Sequence, residues 1–186
     1  NTENYQNDSL HTIKILEKWK IKNSRTEKKP KMVFINTTGG GMRSALWSFC
    51  AIQYCDSILN GRLLNQTQLI SGSSGGLIGL AYLRELMLRN QRNEILNFHK
   101  LDYRKDMAKD ILNRLAFYVS VNDMLFRLQT FEDNGFKYRK DRGYAFEEQL
   151  NENTKGYLNR RLYEYYLPEY NSEIPMLIIN PTIIPF

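Results

Sequence analysis

The alternation of apolar and polar positions along the chain predicts helices that alternate with short strands. Residues 9–22 repeat apolar side chains with the period of an amphipathic helix. We expect Ser9 to cap this helix, and its inward-facing side chains to be Ile13, Leu16 and Ile21. The pattern that follows predicts a strand at 32–36, a helix at about 42–59 ended by Gly61, a second strand from 67, and a helix from 75 that is apolar all round.

The second half of the chain has a looser pattern. It predicts a helix over 104–118, an irregular aromatic-rich stretch over 120–142, a short helix over 144–153, and a strand over 174–180 that is buried on both faces. Two strand–loop–helix units and a third buried strand favour an α/β fold with a mostly parallel sheet. We expect residues 1–30 to form a helix and a polar linker, and residues 31–186 to belong to one α/β domain.

Composition and charge limit the kinds of partner that this chain is expected to bind. At 186 residues, of which 42% are hydrophobic, the chain is long enough for one domain with a sizeable core. The net charge of +6 favours an anionic partner such as a lipid surface, or reflects only a well-solvated surface. No run approaches the roughly 18 apolar residues of a membrane-spanning helix, and no signal peptide opens the chain, so the compartment is undetermined. The two cysteines and two histidines lack zinc-ligand spacing, so we expect no metal site.

A glycine–serine turn follows the second predicted strand. Residues Gly72–Gly76 fit the pattern G-x-S-x-G between a strand and a buried helix. In a nucleophile elbow, a serine at this position sits on a strained turn, and its flanking residues are small because the strand and the helix pack closely. The pattern predicts Ser74 as the nucleophile, with Gly72 and Gly76 as the small residues of the elbow. A flexible loop is the alternative.

A glycine triplet follows the first predicted strand. Gly39, Gly40 and Gly41 offer backbone amides that no Cβ shields, which suits stabilisation of the oxyanion in acyl transfer. Arg43 would add positive charge near that oxyanion, or brace the loop. The alternative is a phosphate cradle in a nucleotide site. However, this chain has no Lys-Ser/Thr pair after the glycines, and the G-x-G-x-x-G spacing fails at Ser44. The oxyanion hole is therefore the better hypothesis.

The two motifs together resemble those of the patatin-like phospholipases. That family combines a glycine triplet, any residue and Arg or Lys with a G-x-S-x-G elbow about thirty residues later. The matching segments here are Gly39–Arg43 and Gly72–Gly76, and the resemblance covers residues 30–90. It implies a three-layer α/β/α fold with a mostly parallel sheet, and a Ser–Asp dyad that needs no metal or other cofactor.

The chain departs from the family pattern in two places. Patatins often have Asp before the glycine triplet and Gly after the Arg, where this chain has Thr38 and Ser44. The family's base is the Asp of a downstream Asp-Gly pair, and no Asp here is followed by Gly. We therefore expect the chain to hold the N-terminal part of a patatin-like hydrolase domain, with the catalytic Asp on a further polypeptide segment.

Other residues of the chain are weaker candidates for the base. Three aspartates lie four apart on a predicted helix, which is typical of a solvated face. Three more lie in the irregular stretch, from which a loop residue can reach a site. In an α/β-hydrolase triad the histidine comes last in the chain, after the acid. His99 does not suit that order, and we expect it to be structural or exposed. The six aspartates are Asp102, Asp106, Asp110, Asp123, Asp133 and Asp141.

The stretch 116–140 interleaves aromatic and basic side chains. In a lipid hydrolase the apolar ones would form a mobile cap for acyl chains, while the basic ones face phosphate head groups. A long loop packed on the core by its aromatic residues explains the pattern equally well. Single-stranded nucleic acid also suits such a pattern, but no RNA-binding motif accompanies it, so we expect no nucleic-acid partner. The residues concerned are Phe117, Met124, Leu125, Phe126, Arg127, Lys137, Arg139 and Lys140.

These patterns lead to one hypothesis and two alternatives. The hypothesis is a serine acyl hydrolase of the lipase or phospholipase type, in which Ser74 attacks an ester carbonyl and the glycine loop stabilises the oxyanion. Its partners would be a lipid or ester substrate and an anionic membrane surface. One alternative is a non-catalytic domain of the same fold that binds lipid or protein. The other is a nucleotide-binding α/β domain.

Overall fold

The computed structural model of this chain describes residues 2–25, 29–123 and 129–180, with the side chains of residues 2, 3, 122 and 123 left out. A π-helical turn (Val119–Asp123) and a 3₁₀ turn (Leu162–Tyr165) accompany the regular elements. In chain order these elements are α1 (Thr2–Ser24), β1 (Val33–Thr37), α2 (Gly41–Ile58), α3 (Arg62–Gln66), β2 (Thr67–Gly72), α4 (Ser74–Gln91), α5 (Leu101–Ala108), α6 (Leu112–Tyr118), β3 (Thr130–Asp133), β4 (Phe136–Arg139), α7 (Arg142–Asn153), α8 (Tyr166–Tyr170) and β5 (Met176–Ile179).

A three-stranded parallel sheet forms the centre of the fold. Its strand order is β1–β2–β5, and both strand pairs are parallel. Ile35, Ile70 and Leu177 lie side by side across the sheet and pack into the core with residues of α2 and α4. The predicted α/β class with parallel strands is therefore confirmed.

The opposite face of this sheet is open over much of its area. Phe34 is 63% exposed and Ile178 is 49% exposed. The prediction that 174–180 is buried on both faces was wrong for the described residues. An all-apolar run suggests two covered faces, but β5 is an edge strand here, because it pairs with β2 alone among the described strands.

Helix α4 is the most deeply buried element of the fold. Every residue from Gly75 to Leu83 is buried or half-buried, which confirms the prediction that this apolar helix is buried nearly all round. The helix continues to Gln91 and also buries a charged pair in its middle, Arg84 and Glu85. It packs along α2, whose Ala45 and Phe49 are fully buried at the contact.

Helix α1 differs from its prediction at both the cap and the inward face. It begins at Thr2, so Ser9 lies exposed inside the helix and caps nothing. Ile13 and Ile21 are exposed and only Leu16 is half-buried. The helix is anchored instead by Trp19, whose Nε1 donates to the carbonyl of Gln66, just before β2, at 3.2 Å. Contacts with the segment after α8 also hold α1: Lys22 Nζ donates to the Ser172 carbonyl at 2.9 Å, and Ser172 Oγ donates to the Ile15 carbonyl at 2.9 Å. The proposed division at residue 30 stays a prediction.

The second half of the chain is more regular than its sequence suggested. The helix predicted over 104–118 is two helices, and Asp110 accepts the Leu112 and Asn113 amides where the second begins. The stretch predicted to be irregular contains the antiparallel hairpin β3–β4. The helix predicted over 144–153 is confirmed as α7, which Asp141 caps by accepting two amide hydrogen bonds.

Candidate acyl-transfer site

Ser74 occupies the junction between the central strand β2 and helix α4. Strand β2 ends at Gly72 and α4 begins at Ser74. The φ of Ser74 is 53°, in the left-handed region that non-glycine residues seldom adopt. Such a backbone angle costs free energy, which surrounding contacts must offset. It is also the strained turn that a nucleophile elbow requires, and the side chain of Ser74 is exposed there.

The two elbow glycines are sites of close approach between backbones. A Cβ at Gly72 would overlap the carbonyl of Thr37, and one at Gly76 would overlap the carbonyl of Thr38. The segment that follows β1 therefore lies directly against the elbow. Any larger residue at either position would push this segment away from Ser74.

The glycine triplet lies beside the serine. A Cβ at Gly39 would come within 3.2 Å of the Ser74 Cβ and 3.6 Å of its Oγ. Gly40 and Gly41 have φ values of 139° and 61°, which favour glycine. The carbonyl oxygen of Gly41 fills the space that a Cβ at Gly75 would need. The structure thus brings together the two turns that the sequence singled out, although some thirty residues separate them.

Arg43 does not brace this loop through any contact in the described part of the chain. Its side chain is exposed on the first turn of α2 and makes no hydrogen bond or ion pair there. The bracing residue is Ser44, whose Oγ donates to the Thr38 carbonyl at 3.1 Å and whose amide donates to the Gly40 carbonyl at 3.4 Å. From the sequence, Ser44 was a departure from the family pattern and the position at which the G-x-G-x-x-G spacing fails, with no structural role expected. A hydroxyl residue just inside a helix start, next to glycines, was the available signal.

No described side chain forms a hydrogen bond with the Oγ of Ser74. His99 pairs instead with the buried Asp56, with 2.9 Å between its Nε2 and Oδ2. Asp56 lies about four turns from Gly41 along α2, roughly 22 Å at about 1.5 Å per residue. His99 is therefore a structural partner that ties the segment after α4 to the far end of α2.

Asp106 contradicts the prediction of a solvated aspartate row. It is 4% exposed and accepts hydrogen bonds from Lys109 Nζ at 2.8 Å and from Tyr82 Oη at 3.4 Å. Lys155 Nζ is 3.1 Å from Oδ2, the oxygen that also accepts from Tyr82. Burial acts to raise the pKa of Asp106, but the two lysines outweigh it and hold the pKa below its ordinary value. Asp106 is therefore a structural ion-pair centre.

The other candidate aspartates are also engaged away from Ser74. Asp102 is exposed and pairs with Lys105 on its own helix. Asp133 pairs with Arg161, while Asp110 and Asp141 cap helices. The side chain of Asp123 lies outside the described residues. Within the described residues, then, the aspartates offer Ser74 no base.

The proposed acyl-chain cap is described only in part. Phe117, Lys137 and Arg139 are exposed. Phe131 packs on Tyr144 of α7, with ring centroids 4.7 Å apart, so this part of the stretch is a packed hairpin rather than a free loop. Lys140 lies over the ring of Tyr144. The remaining candidates, Met124, Leu125, Phe126 and Arg127, lie outside the described residues.

Comparison with known proteins adds no relative to this picture. A scan against models of protein families finds no match, and searches among curated proteins and among solved structures find none either. Over residues 2–25, 29–123 and 129–180, no helix is both long and apolar enough to cross a bilayer. Within the same ranges, no three His, Cys, Asp or Glu side chains group as metal ligands would. The features that bear on function are therefore the strained turn at Ser74 and the glycine loop beside it.

Proposed function

We propose that this chain is part of a serine acyl hydrolase that cleaves carboxylic esters of lipids, with Ser74 as the nucleophile. The observation that carries the proposal is the φ of 53° at Ser74, in the turn between β2 and α4, with Gly39 so placed that an added Cβ would meet its side chain. A serine strained into that turn projects its hydroxyl away from the sheet, where an ester can approach it.

The glycine loop is our candidate for the oxyanion hole. Attack on an ester carbonyl creates a negative oxygen, which backbone N–H groups stabilise when they are fixed in place beforehand. The loop Gly39–Gly41 is held by Ser44 and by the close contact with Gly75. The first turn of α4 adds the positive end of a helix dipole on the same side. We assign Arg43 only an electrostatic role, as an exposed positive charge near the loop.

The general base would be an aspartate outside the described residues. A neutral serine hydroxyl is a weak nucleophile, and it needs a base within about 3.2 Å in the reacting complex. We propose that a further polypeptide segment supplies this carboxylate, as the resemblance to patatin-like phospholipases implies. The resulting Ser–Asp dyad needs neither a metal nor another cofactor.

The same resemblance leads us to propose a three-layer α/β/α arrangement. Helices α2 and α4 supply one layer, and the exposed Phe34 and Ile178 are the apolar side chains that a second layer would cover. Phe34→Cys in the complete protein tests this, with maleimide labelling located by mass spectrometry. Slow labelling in the native state and fast labelling in urea would support a second layer, whereas fast labelling in both would rule it out.

Lipid is the substrate class that the surface favours. The net charge is +6, and the exposed hairpin residues Phe136, Lys137 and Arg139 offer an aromatic ring and two cations to an anionic membrane. Binding of the complete protein to anionic vesicles, weaker at high salt, is the expected behaviour.

Hydrolysis of p-nitrophenyl esters by the complete protein tests the proposal. Ser74→Ala should abolish the activity, while the matched control Ser73→Ala, one residue earlier on the turn, should keep most of it. Activity that survives in Ser74→Ala would contradict the proposal. Vesicle binding without hydrolysis would favour a non-catalytic lipid-binding domain, and nucleotide binding without hydrolysis would favour a nucleotide-binding domain.

A further inference from the structure

A cavity lies between the β3–β4 hairpin, helix α7 and the segment 158–164. Its volume is about 440 Å³, within the range of small-molecule sites. Arg160, on its wall, reaches Glu85 of α4 at 3.6 Å. Glu85 lies about three turns beyond Ser74, roughly 16 Å along the helix axis. The cavity is therefore separate from the candidate acyl-transfer site.

Aromatic rings form one wall of this cavity. Phe131 and Tyr144 both line it, and their ring centroids are 4.7 Å apart. Tyr138 stacks on Phe131 at 5.4 Å and holds the ring in place. The faces of such rings attract cations, and here the Nζ of Lys140 already lies 4.8 Å from the centroid of Tyr144.

The remaining walls carry more negative than positive charge. Four carboxylates and two guanidinium groups line the cavity. The guanidinium of Arg161 forms an ion pair with Asp133. The guanidinium of Arg160 forms an ion pair with Glu85, which lies outside the cavity lining. Glu148 is paired with Arg114.

Two of the lining carboxylates form no ion pair with any described residue. Among the described residues, Glu164 accepts only the neutral backbone amide of Arg161, at 2.6 Å. Glu147 forms no hydrogen bond or ion pair with any described residue. The cavity thus combines an aromatic wall with two carboxylates that lack a cationic partner among the described residues.

We propose that this cavity binds a small organic cation through its alkylammonium group. The ammonium would lie against Phe131 and Tyr144, with Glu147 and Glu164 supplying the opposite charge. A neutral ligand would gain only apolar contact with the rings, and an anion would meet the two carboxylates that form no ion pair with a described residue. The proposal is independent of the hydrolase assignment, because it uses no residue near Ser74.

Two sources offer this chemistry, a free amine and the choline head group of a lipid. Calorimetric titration of the protein with choline, with spermidine and with phosphatidylcholine vesicles separates them. Binding of choline and vesicles assigns the site to a head group; binding of choline or spermidine without vesicles assigns it to a free amine. In either case affinity should fall as salt is raised.

The neutral isostere of choline, 3,3-dimethylbutan-1-ol, isolates the charge. We expect choline to bind at least about tenfold more tightly than this alcohol. Equal affinity of the two would overturn the proposal, and so would the failure of both choline and spermidine to bind at up to about 10 mM.

Point variants test the assigned residues. Glu147→Gln removes an exposed charge without affecting the core, and we expect it to weaken choline binding about three- to tenfold. Phe131→Leu, checked for folding by circular dichroism, should weaken it to a similar extent. Glu132→Gln is the control. It removes a charge from the hairpin strand that carries Phe131, but Glu132 lies outside the cavity lining, so binding should be unchanged. Equal losses in Glu147→Gln and Glu132→Gln would show that the cavity is not the site.

Discussion

Different kinds of contact characterise residues 33–91 and residues 101–165. In the first region, the glycines at the start of α4 let the backbone of the β1–α2 segment approach the helix directly. In the second region, contacts are made at the ends of long side chains, such as Arg114 with Glu148 and Glu152, and by the rings of the hairpin. Both regions contribute to the hydrophobic core, but close backbone contacts shape the turns of the first, whereas charged and aromatic contacts shape the surface of the second.

This difference decides what each region is suited to do. Backbone contacts without side chains leave little freedom, so they can hold a reacting serine within a fraction of an ångström of its partners. Exposed ion pairs are each worth about 0–1 kcal/mol and can rearrange. They suit a cavity that recognises the charge of a ligand, but not a site that must fix reacting atoms.

The two regions meet at the buried charges in the middle of α4. Arg84, which is 2% exposed, pairs with Glu169, and its guanidinium lies over the ring of Tyr165. Burial lowers the pKa of Arg84 and raises the pKa of Glu169, and the attraction between them opposes both shifts. Glu85 accepts the hydroxyl of Tyr165 at 2.7 Å. These are the charged contacts in which a lost partner is most costly.

The largest effect is expected from removing a partner of this junction. Glu169→Ala leaves Arg84 buried without its carboxylate, and we expect a loss of about 3 kcal/mol or more in the free energy of unfolding. Urea denaturation measures it. The control is Glu152→Ala, which removes a 62% exposed partner of Arg114 and should cost less than about 1 kcal/mol. Equal losses would contradict the distinction between the junction and the surface pairs.

Gly41→Ala sharpens the comparison on the catalytic side. A Cβ at Gly41 meets open space, but the φ of 61° is strained for alanine. If the loop amides serve the oxyanion, the displaced loop should lower kcat on p-nitrophenyl esters about 10²–10³-fold.

The hairpin offers a matched control for Gly41→Ala. Gly135 also has open space around it and a φ of 79°. Gly135→Ala should cost similar stability, about 1 kcal/mol, without changing kcat. Arg43→Ala, which removes an exposed side chain, should leave the melting temperature nearly unchanged. An unchanged kcat in Gly41→Ala would reduce the glycine loop to a packing device.

Gly75→Ala tests the backbone contact itself. The added methyl group would overlap the Gly41 carbonyl, and we expect thermal unfolding to report a loss of about 1–3 kcal/mol. Gly143 is the second residue of α7, as Gly75 is of α4, but its Cβ would meet only the tip of the capping Asp141 side chain, at 3.0 Å, which a shift of a few tenths of an ångström relieves. Gly143→Ala should therefore be close to neutral. A Gly75→Ala variant as stable as Gly143→Ala would mean that the backbones are less close than described.

The smallest expected effect is a pH dependence in the second region. The pKa of Asp106 is below its ordinary value of about 3.9, so its contribution to stability is present above that pH and is lost as the pH falls through the folded-state pKa. Asp106→Asn should cost about 1.5 kcal/mol at neutral pH, and its difference from wild type should narrow below about pH 4. Urea denaturation at several pH values measures this, with the exposed Asp102→Asn as control. A difference that stays constant with pH would contradict the account.

The first region could be predicted from sequence because its constraints are local. The apolar run of β1, the turn Gly72–Gly76 and the uniformly apolar start of α4 each determine one kind of structure. The position of Gly39 beside Ser74 was then expected from the resemblance, since parallel strands end at the same edge of a sheet.

The second region could not be predicted as well, because its structure depends on pairs that are distant in sequence. The sequence around Asp106 is typical of a solvated helix face, and its partner Lys155 lies about fifty residues later, just after α7. The hairpin was the avoidable error, since Asn134-Gly135 is a strong turn signal and both residues have positive φ, at 51° and 79°. The exposure of Ile13 and Ile21 also had no local sign, because α1 is held by Trp19 and by hydrogen bonds of Lys22 and Ile15 with Ser172.

The central claim is that Ser74 is a nucleophile held by the glycine loop, and mass spectrometry of a covalent adduct tests it most directly. The complete protein is treated with a fluorophosphonate, digested, and searched for the modified serine. Our account predicts one adduct on Ser74, absent in Ser74→Ala and formed more slowly in Gly41→Ala than in Gly135→Ala. An adduct on Ser71 or Ser73, or no adduct at all, would contradict it.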